Sequence, residues 1–309
     1  MSELAVITPT YRGDAHIFPE LHRSVLEFTP ADTVHHVFVS ARDKPMFNQY
    51  AGPRCRVWTH TEVLPARYVA LPWSGLYVNA RRPWPPVRGW IMQQTIKIAA
   101  AAQLEADVVL MADSDVVLVR PTRAARFLDV PGESLPSGHQ HSRLRLFRLE
   151  GGVTDDMPRH VTWHQVARRL FGLPPAGPPP LTDYVTPLNF WDPAVVRAMQ
   201  EHITATTGRH WVDVFNSELH ISEFILYGVF VDHVLSAGGP LPVADTTTLH
   251  DYWDRTPLDR EGALAFADKL DPAAVAMMIS AKSDTPNDVR LAAIQRCAEI
   301  VAAQGQYNI

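Results

Sequence analysis

The sequence predicts an α/β fold built on a mostly parallel central sheet flanked by helices. Two observations carry this: short apolar runs without polar alternation, and helix-length segments lying between them. A strand covered by helices on both faces is apolar on both, so an unalternated run is its signature. Runs that alternate with helices in this rhythm build parallel βαβ units.

The first run, Leu4 to Ile7, stops at Thr8-Pro9-Thr10. The second, Val34 to Val39, stops at Ser40-Ala41-Arg42-Asp43, and a weaker third is Val57-Trp58-Thr59. The clearest is Ala106-Asp107-Val108-Val109-Leu110-Met111-Ala112, which ends at Asp113. Helices are predicted over Ile17 to Phe28 and Ile91 to Glu105. The segment Leu71 to Gly89 breaks the rhythm with Pro72, Pro83, Pro85 and Pro86. Its aromatics Trp73, Tyr77 and Trp84 suit either a structured cover over a site or a packed surface loop.

Beyond Val130 the pattern changes. An extended segment is expected at Gly138 to Phe147, and helices at Val161 to Phe171, Pro193 to Thr204, Ser222 to Ala237 and Asn287 to Ala303. A strand is expected around Leu241 to Leu249. Leu173 to Pro180 is too rich in proline for a helix and is expected to run over the surface. The chain reads as a single unit over 1–309. Its nucleotide-binding half covers 1–130, and a substrate-facing half over 131–309 packs on the same sheet.

Of the 309 residues, 46% are apolar and 20% charged, the composition of an ordinary globular protein. The net charge of −5 is spread along the chain, which excludes a basic nucleic-acid face and a polybasic membrane patch. An acidic protein that takes a phosphate-rich ligand must place positive charge locally, and a metal ion is one means. The two cysteines, Cys55 and Cys297, exclude a disulfide scaffold and suit a reducing cytoplasm. Met1-Ser2-Glu3-Leu4 lacks the pattern of a signal peptide, and no run approaches the ~18 apolar residues of a membrane span. A soluble, cytoplasmic protein is expected.

The chemistry is expected where the best strand ends, at Asp113-Ser114-Asp115. Open α/β sheets bind ligands at the carboxyl ends of their strands. Two partly buried carboxylates repel each other, and a hard divalent cation such as Mg²⁺ or Mn²⁺ relieves that. The same ion would bridge the oxygens of a diphosphate. The alternative is that one Asp caps a turn and the other is solvated. Trp90, Gln94, Lys97 and Ala101 are spaced to share one helical stripe, so that Gln94 and Lys97 point together, unless this is a solvated helix face.

The run Val109 to Leu118 around the D-x-D resembles that segment of GT-A-fold glycosyltransferases, and Ile7-Thr8-Pro9-Thr10-Tyr11 resembles their first strand and donor loop. Gly89 to Lys97 and Ser222 to Gly228 are similar to a little-characterised bacterial branch of that superfamily. The likeness spans Val6 to about Trp253. It implies a GT-A-like fold with an acceptor-side C-terminal region, and transfer of a sugar from a nucleotide-diphosphate sugar to an acceptor hydroxyl. Thr8, Pro9, Thr10 and Tyr11 would line the nucleotide pocket, Asp43 would take bonds from the base, and Lys97 would reach donor or phosphate. Asp113, with Ser114 beside it, would lie nearer the ribose and the metal, and Asp115 would be the main metal ligand. His250 would be a third ligand, favouring manganese, or else one of 14 ordinary histidines. Glu223 would be the carboxylate general base, with helix capping as its competing role. Asp156, Asp183 and His220 stand in reserve.

Three rival classes share part of this pattern. A haloacid-dehalogenase-type phosphatase also ends a strand in D-x-D, but nearer its N-terminus and with a downstream Gly-x-x-x-Asp-Asp that is not evident here. A sugar nucleotidyltransferase wants a Gly-rich phosphate loop, which Thr8 to Gly13 does not supply. A non-catalytic sugar-binding module would not need an acidic pair.

Overall fold

The computed structural model describes residues 2–71, 74–128, 144–235 and 248–306. Four strands form the parallel part of the main sheet: β1 (Ser2–Pro9), β2 (Val34–Val39), β3 (Cys55–Thr59) and, later in the chain, β7 (Ala106–Ala112). Helix α1 (Phe18–Phe28) connects β1 to β2, and the short α2 (Lys44–Phe47) follows β2. Strands β4 (Tyr68–Ala70), β5 (Leu76–Asn79) and β6 (Arg82–Arg88) come before α3 (Gly89–Gln103), which leads into β7.

Central β7 is fully buried from Val108 to Ala112. Its odd residues Val109 and Met111 pack with Ile96, Ala99 and Val196. Its even residues Val108, Leu110 and Ala112 pack with Leu21, Val25 and Phe127 on the other face. Burial on both faces is why the run carries no polar alternation.

The segment expected to be a cover or loop is a small antiparallel sheet, β4-β5-β6. Pro83, Pro85 and Pro86 all fall in β6, which among the described residues pairs only with β5, so the missing N–H groups lie on an edge. Prolines hid the strand from a pattern reading. Pro72 and Trp73 lie outside the described residues. Arg67, Tyr68 and Asn79 all donate to Asp213, which ties this sheet to the later part of the chain.

After β7 come β8 (Val116–Leu118), β9 (Leu149–Val153), α4 (Pro158–Leu170), β10 (Leu181–Asp183) and β11 (Leu188–Trp191). The helices α5 (Pro193–Thr207), α6 (Trp211–Phe215) and α7 (Glu223–His233) follow. The C-terminal part adds β12 (Leu249–Tyr252), α8 (Arg260–Ala267), β13 (Ala276–Ile279) and α9 (Asn287–Gln306). The expected strand at Leu241 to Leu249 and extended segment at Gly138 to Phe147 lie mostly outside the described residues.

The main sheet runs β11-β7-β1-β2-β3, with β11 antiparallel on one edge. A second sheet runs β12-β13-β8, with β8 continuing directly from the turn after β7. Strands from both halves of the chain therefore share sheets. No helix among the described residues is long and apolar enough to cross a membrane. Cys55 and Cys297 are both free and buried.

Helix α7 is buried on every side from Glu223 to Val231. At its middle a Cβ on Gly228 would stand 2.2 Å from the Tyr184 ring. That ring is fixed, because its hydroxyl donates to Asp232 at 2.6 Å. Gly228→Ala is expected to destabilise the fold by about 1–3 kcal/mol through overpacking, read as a lowered urea midpoint.

The residues of β2 add a pH dependence. His36 takes the Trp58 indole N–H on Nδ1 at 3.1 Å, which requires an unprotonated nitrogen. Burial, helped by Arg56, lowers its pKa to about 4. The unfolded chain therefore binds more protons than the folded chain from about pH 6.5 down to 4. Stability is full above pH 7 and falls as pH drops through that window, by about 3 kcal/mol for this histidine. Melting temperature is expected to fall between pH 7 and 5, and less so in His36→Gln; parallel profiles would contradict this.

Candidate active site at the carboxyl end of the parallel sheet

Beyond Ala112 the backbone turns sharply. The Asp113 amide donates to the Pro187 carbonyl at 3.1 Å, and the Val116 amide donates to the Asp113 carbonyl at 3.0 Å. This turn faces Asp113 and Asp115 to different neighbours. Asp113 meets Lys97 of α3, with Nζ to Oδ1 at 2.9 Å. Asp115 accepts the Ala281 amide on Oδ2 at 2.8 Å, just after β13.

Lys97 is the centre of the arrangement. Its ammonium pairs with Asp113 and also with Glu223, Nζ to Oε1 at 3.0 Å, and it lies 4.5 Å from the Phe224 ring centroid. The Glu223 amide donates to Gln94 Oε1 at 2.9 Å, and Gln94 Nε2 reaches back to the Trp90 carbonyl. Trp90, Gln94, Lys97 and Ala101 thus form an inward stripe, not a solvated face: Gln94, Lys97 and Ala101 are buried. Burial opposes the charge on Lys97, but the two carboxylates outweigh it and raise its pKa above the usual lysine range. Burial raises Glu223, against the pull of Lys97. Ser222 caps α7 by accepting the Ile225 amide, and the positive end of the helix favours an anion at Glu223.

Asp115 is raised to about 6, first by burial and then by the charge of Asp113, with the Ala281 amide and Arg290 opposing. It faces a recess between α1 and α9 of about 200 Å³, counting its open mouth, which Glu20, Ser114, Asn287 and Arg290 also line. Ser114 is buried, and its hydroxyl donates to Thr10 Oγ1 at 2.9 Å. Two further charged groups, not singled out from the sequence, belong here. Asp14, in the turn after β1, is raised by burial while the Ser114 hydroxyl opposes. Arg290 of α9 is 6% exposed and feels both Asp14 and Asp115. Asp14 had a legible signal, an acid just past a parallel strand; Arg290 had none.

The residues expected around the nucleotide divide. Thr8 is fully buried and bonds His35 Nε2 at 2.9 Å, so it braces β1 against β2. Pro9 is buried as well, while Tyr11 is 56% exposed. Asp43 is 5% exposed and its carboxylate takes the Arg12 guanidinium at 2.7 Å, next to the contact between His60 and Tyr77. Among the reserves, Asp156 and His220 are exposed, and Asp183 is half-buried on β10.

His250 does not join the acidic pair. Its Nε2 lies 2.9 Å from the Phe266 carbonyl and its ring stacks on Phe266 at 4.2 Å, turned toward α8. No group of three or more ligating side chains converges among the described residues. His250 therefore stands apart from Asp113 and Asp115, so the expected preference for manganese, which rested on its imidazole, has no support from this arrangement.

A protein-family model described as a family of unknown function matches residues 4–253. The chain belongs to that family, DUF6492. The DUF6492 match ends at Trp253, so Ala281 and Arg290, both touching the site, come from beyond it. No curated protein matches. Among solved structures, apo mouse xyloside xylosyltransferase 1 is 12% identical, with 92% of this chain and 99% of that one covered at a TM-score of 0.45. The galactosyltransferase LgtC with donor and acceptor sugar analogs is 11% identical, covering 97% and 95% at 0.42. An active-site mutant of LgtC is 12% identical, with the same coverage at 0.43. At such scores the likeness carries no argument about chemistry.

Proposed function

We propose that this DUF6492 chain is a glycosyltransferase that takes a nucleotide-diphosphate sugar as donor and a hydroxyl as acceptor. One observation carries the proposal: two carboxylates stand at the carboxyl end of the central parallel strand, one against a buried lysine and the other with its pKa raised by burial and by its neighbour. Such a pair fits a hard divalent cation, because bound positive charge relieves both the repulsion and the burial. Asp113 and Asp115 would hold it, with remaining oxygens from diphosphate and water, so magnesium serves as well as manganese. When bound, the cation supplies neutralisation of the leaving diphosphate.

The chain's own residues divide the rest of the work. Lys97, fixed between Asp113 and Glu223, holds positive charge under the donor and orients the Asp113 carboxylate. Glu223 is 4% exposed with Oε1 already bound to that lysine. A base must reach the acceptor hydroxyl. Glu223 is therefore assigned as the positioning residue for Lys97, and the base role passes to the acceptor side, where Asp183 is the half-buried carboxylate. Arg290 and Thr10, linked to Ser114, complete the phosphate end.

A panel of nucleotide sugars and nucleoside diphosphates, scored by thermal shift with and without Mg²⁺ or Mn²⁺, tests this reading. Stabilisation that needs both nucleotide and cation is expected. Hydrolysis of a generic phosphomonoester without any nucleotide-dependent shift would favour the phosphatase class instead.

A further inference from the structure

The inward stripe of α3 begins at Trp90, which reaches the surface at 36% exposed. Its indole stacks on that of Trp163 from α4, with ring centroids 5.8 Å apart and planes 28° from parallel. The Arg159 guanidinium lies over both, 4.4 Å from the Trp90 ring and 5.0 Å from the Trp163 ring. His160 meets Trp163 at 4.5 Å. Strand β10 packs on this helix through His164, 2.8 Å from the Thr182 carbonyl, which brings Asp183 alongside His160. Trp163 is 6% exposed, yet its Nε1 has no hydrogen-bond partner among the described residues.

We propose that Trp90, Trp163, Arg159 and His160 form a subsite for a pyranose ring of the acceptor. This rests on the glycosyltransferase reading and gives the acceptor's class, a saccharide. A pyranose has a face of C–H bonds that packs on an indole, and a rim of hydroxyls that bonds the polar groups around it. Trp90 supplies the face. Arg159 and His160 supply the rim, and Trp163 backs the Trp90 indole from beneath. Lys97 lies two helical turns from Trp90, about 10 Å along α3. A ring held at Trp90 therefore lies within a disaccharide's reach of the Asp113 end of the ion-pair network, and Gln94, between the two on α3, bonds the Trp90 carbonyl and the Glu223 amide.

Saturation-transfer NMR on the full chain tests this with methyl β-glucopyranoside, methyl β-galactopyranoside and lactose as probes. Irradiating the aromatic resonances is expected to saturate ring protons of at least one glycoside. In Trp90→Ala that binding is expected to weaken about ten-fold, while Trp90→Phe keeps most of it. The thermal shift with UDP or GDP and Mg²⁺ should be unchanged in both. Should Trp90→Ala not fold, Arg159→Ala, at an exposed position, takes its place. Two results overturn the subsite: no saturation of any probe in the wild type, or wild-type binding in both Trp90→Ala and Arg159→Ala. If nucleotide shifts persist in that case, the transferase reading stands and only the subsite falls. Glycoside binding at Trp90 without any nucleotide shift keeps the saccharide site and removes the transferase reading.

Discussion

Lys97→Ala is expected to destabilise the fold by about 3–5 kcal/mol, because it strands Glu223 as a buried, unpaired acid. Both side chains are only 5% exposed, so water cannot replace the lost partner. Adding Glu223→Gln to the Lys97→Ala background should recover a large part of the loss, since a neutral amide no longer has to shed or bury a charge. Urea unfolding of the two single variants and the double gives the coupling directly. A loss below about 1 kcal/mol in Lys97→Ala would match an exposed ion pair and contradict the buried network.

The second large effect is on turnover. Asp115→Ala is expected to lower kcat/KM by on the order of 10³-fold, the share of barrier lowering a divalent cation commonly supplies at a departing phosphate. Its melting temperature should hold. Asp115 is a buried carboxylate whose charge is disfavoured by its surroundings, so losing it relieves burial even as the Ala281 amide loses an acceptor. Reduced turnover with an unchanged melting temperature separates a site role from a folding role. A variant that turns over normally would return Asp115 to a turn-capping part.

Much of the candidate site was legible in the sequence, for a physical reason. A central parallel strand must be apolar on both faces, so Val108 to Ala112 marked itself, and its end marked the ligand edge. The stripe Trp90, Gln94, Lys97 and Ala101 was legible from helical spacing alone. Its burial was not, because an amphipathic face and a buried polar stripe differ only in what packs on them. The partner of Lys97 lies 126 residues along the chain. No local pattern encodes such a pairing, so Glu223 looked like a helix-capping acid free to act as base. The position of His250 was no more legible. Its place in the chain suited a ligand, but the register of β12 with β13 turns it onto Phe266. The β4-β5-β6 sheet was obscured by prolines that an edge strand tolerates and a central strand does not.

The most direct measurement of the central claim is titration calorimetry of the wild-type chain with UDP and GDP, in excess Mg²⁺ and again in excess chelator. Binding of at least one nucleotide with the cation, abolished by chelator and by Asp115→Ala, is the expected result. Equal affinity in chelator, or no heat from either nucleotide with the cation present, would contradict a carboxylate pair that holds a cation against a diphosphate.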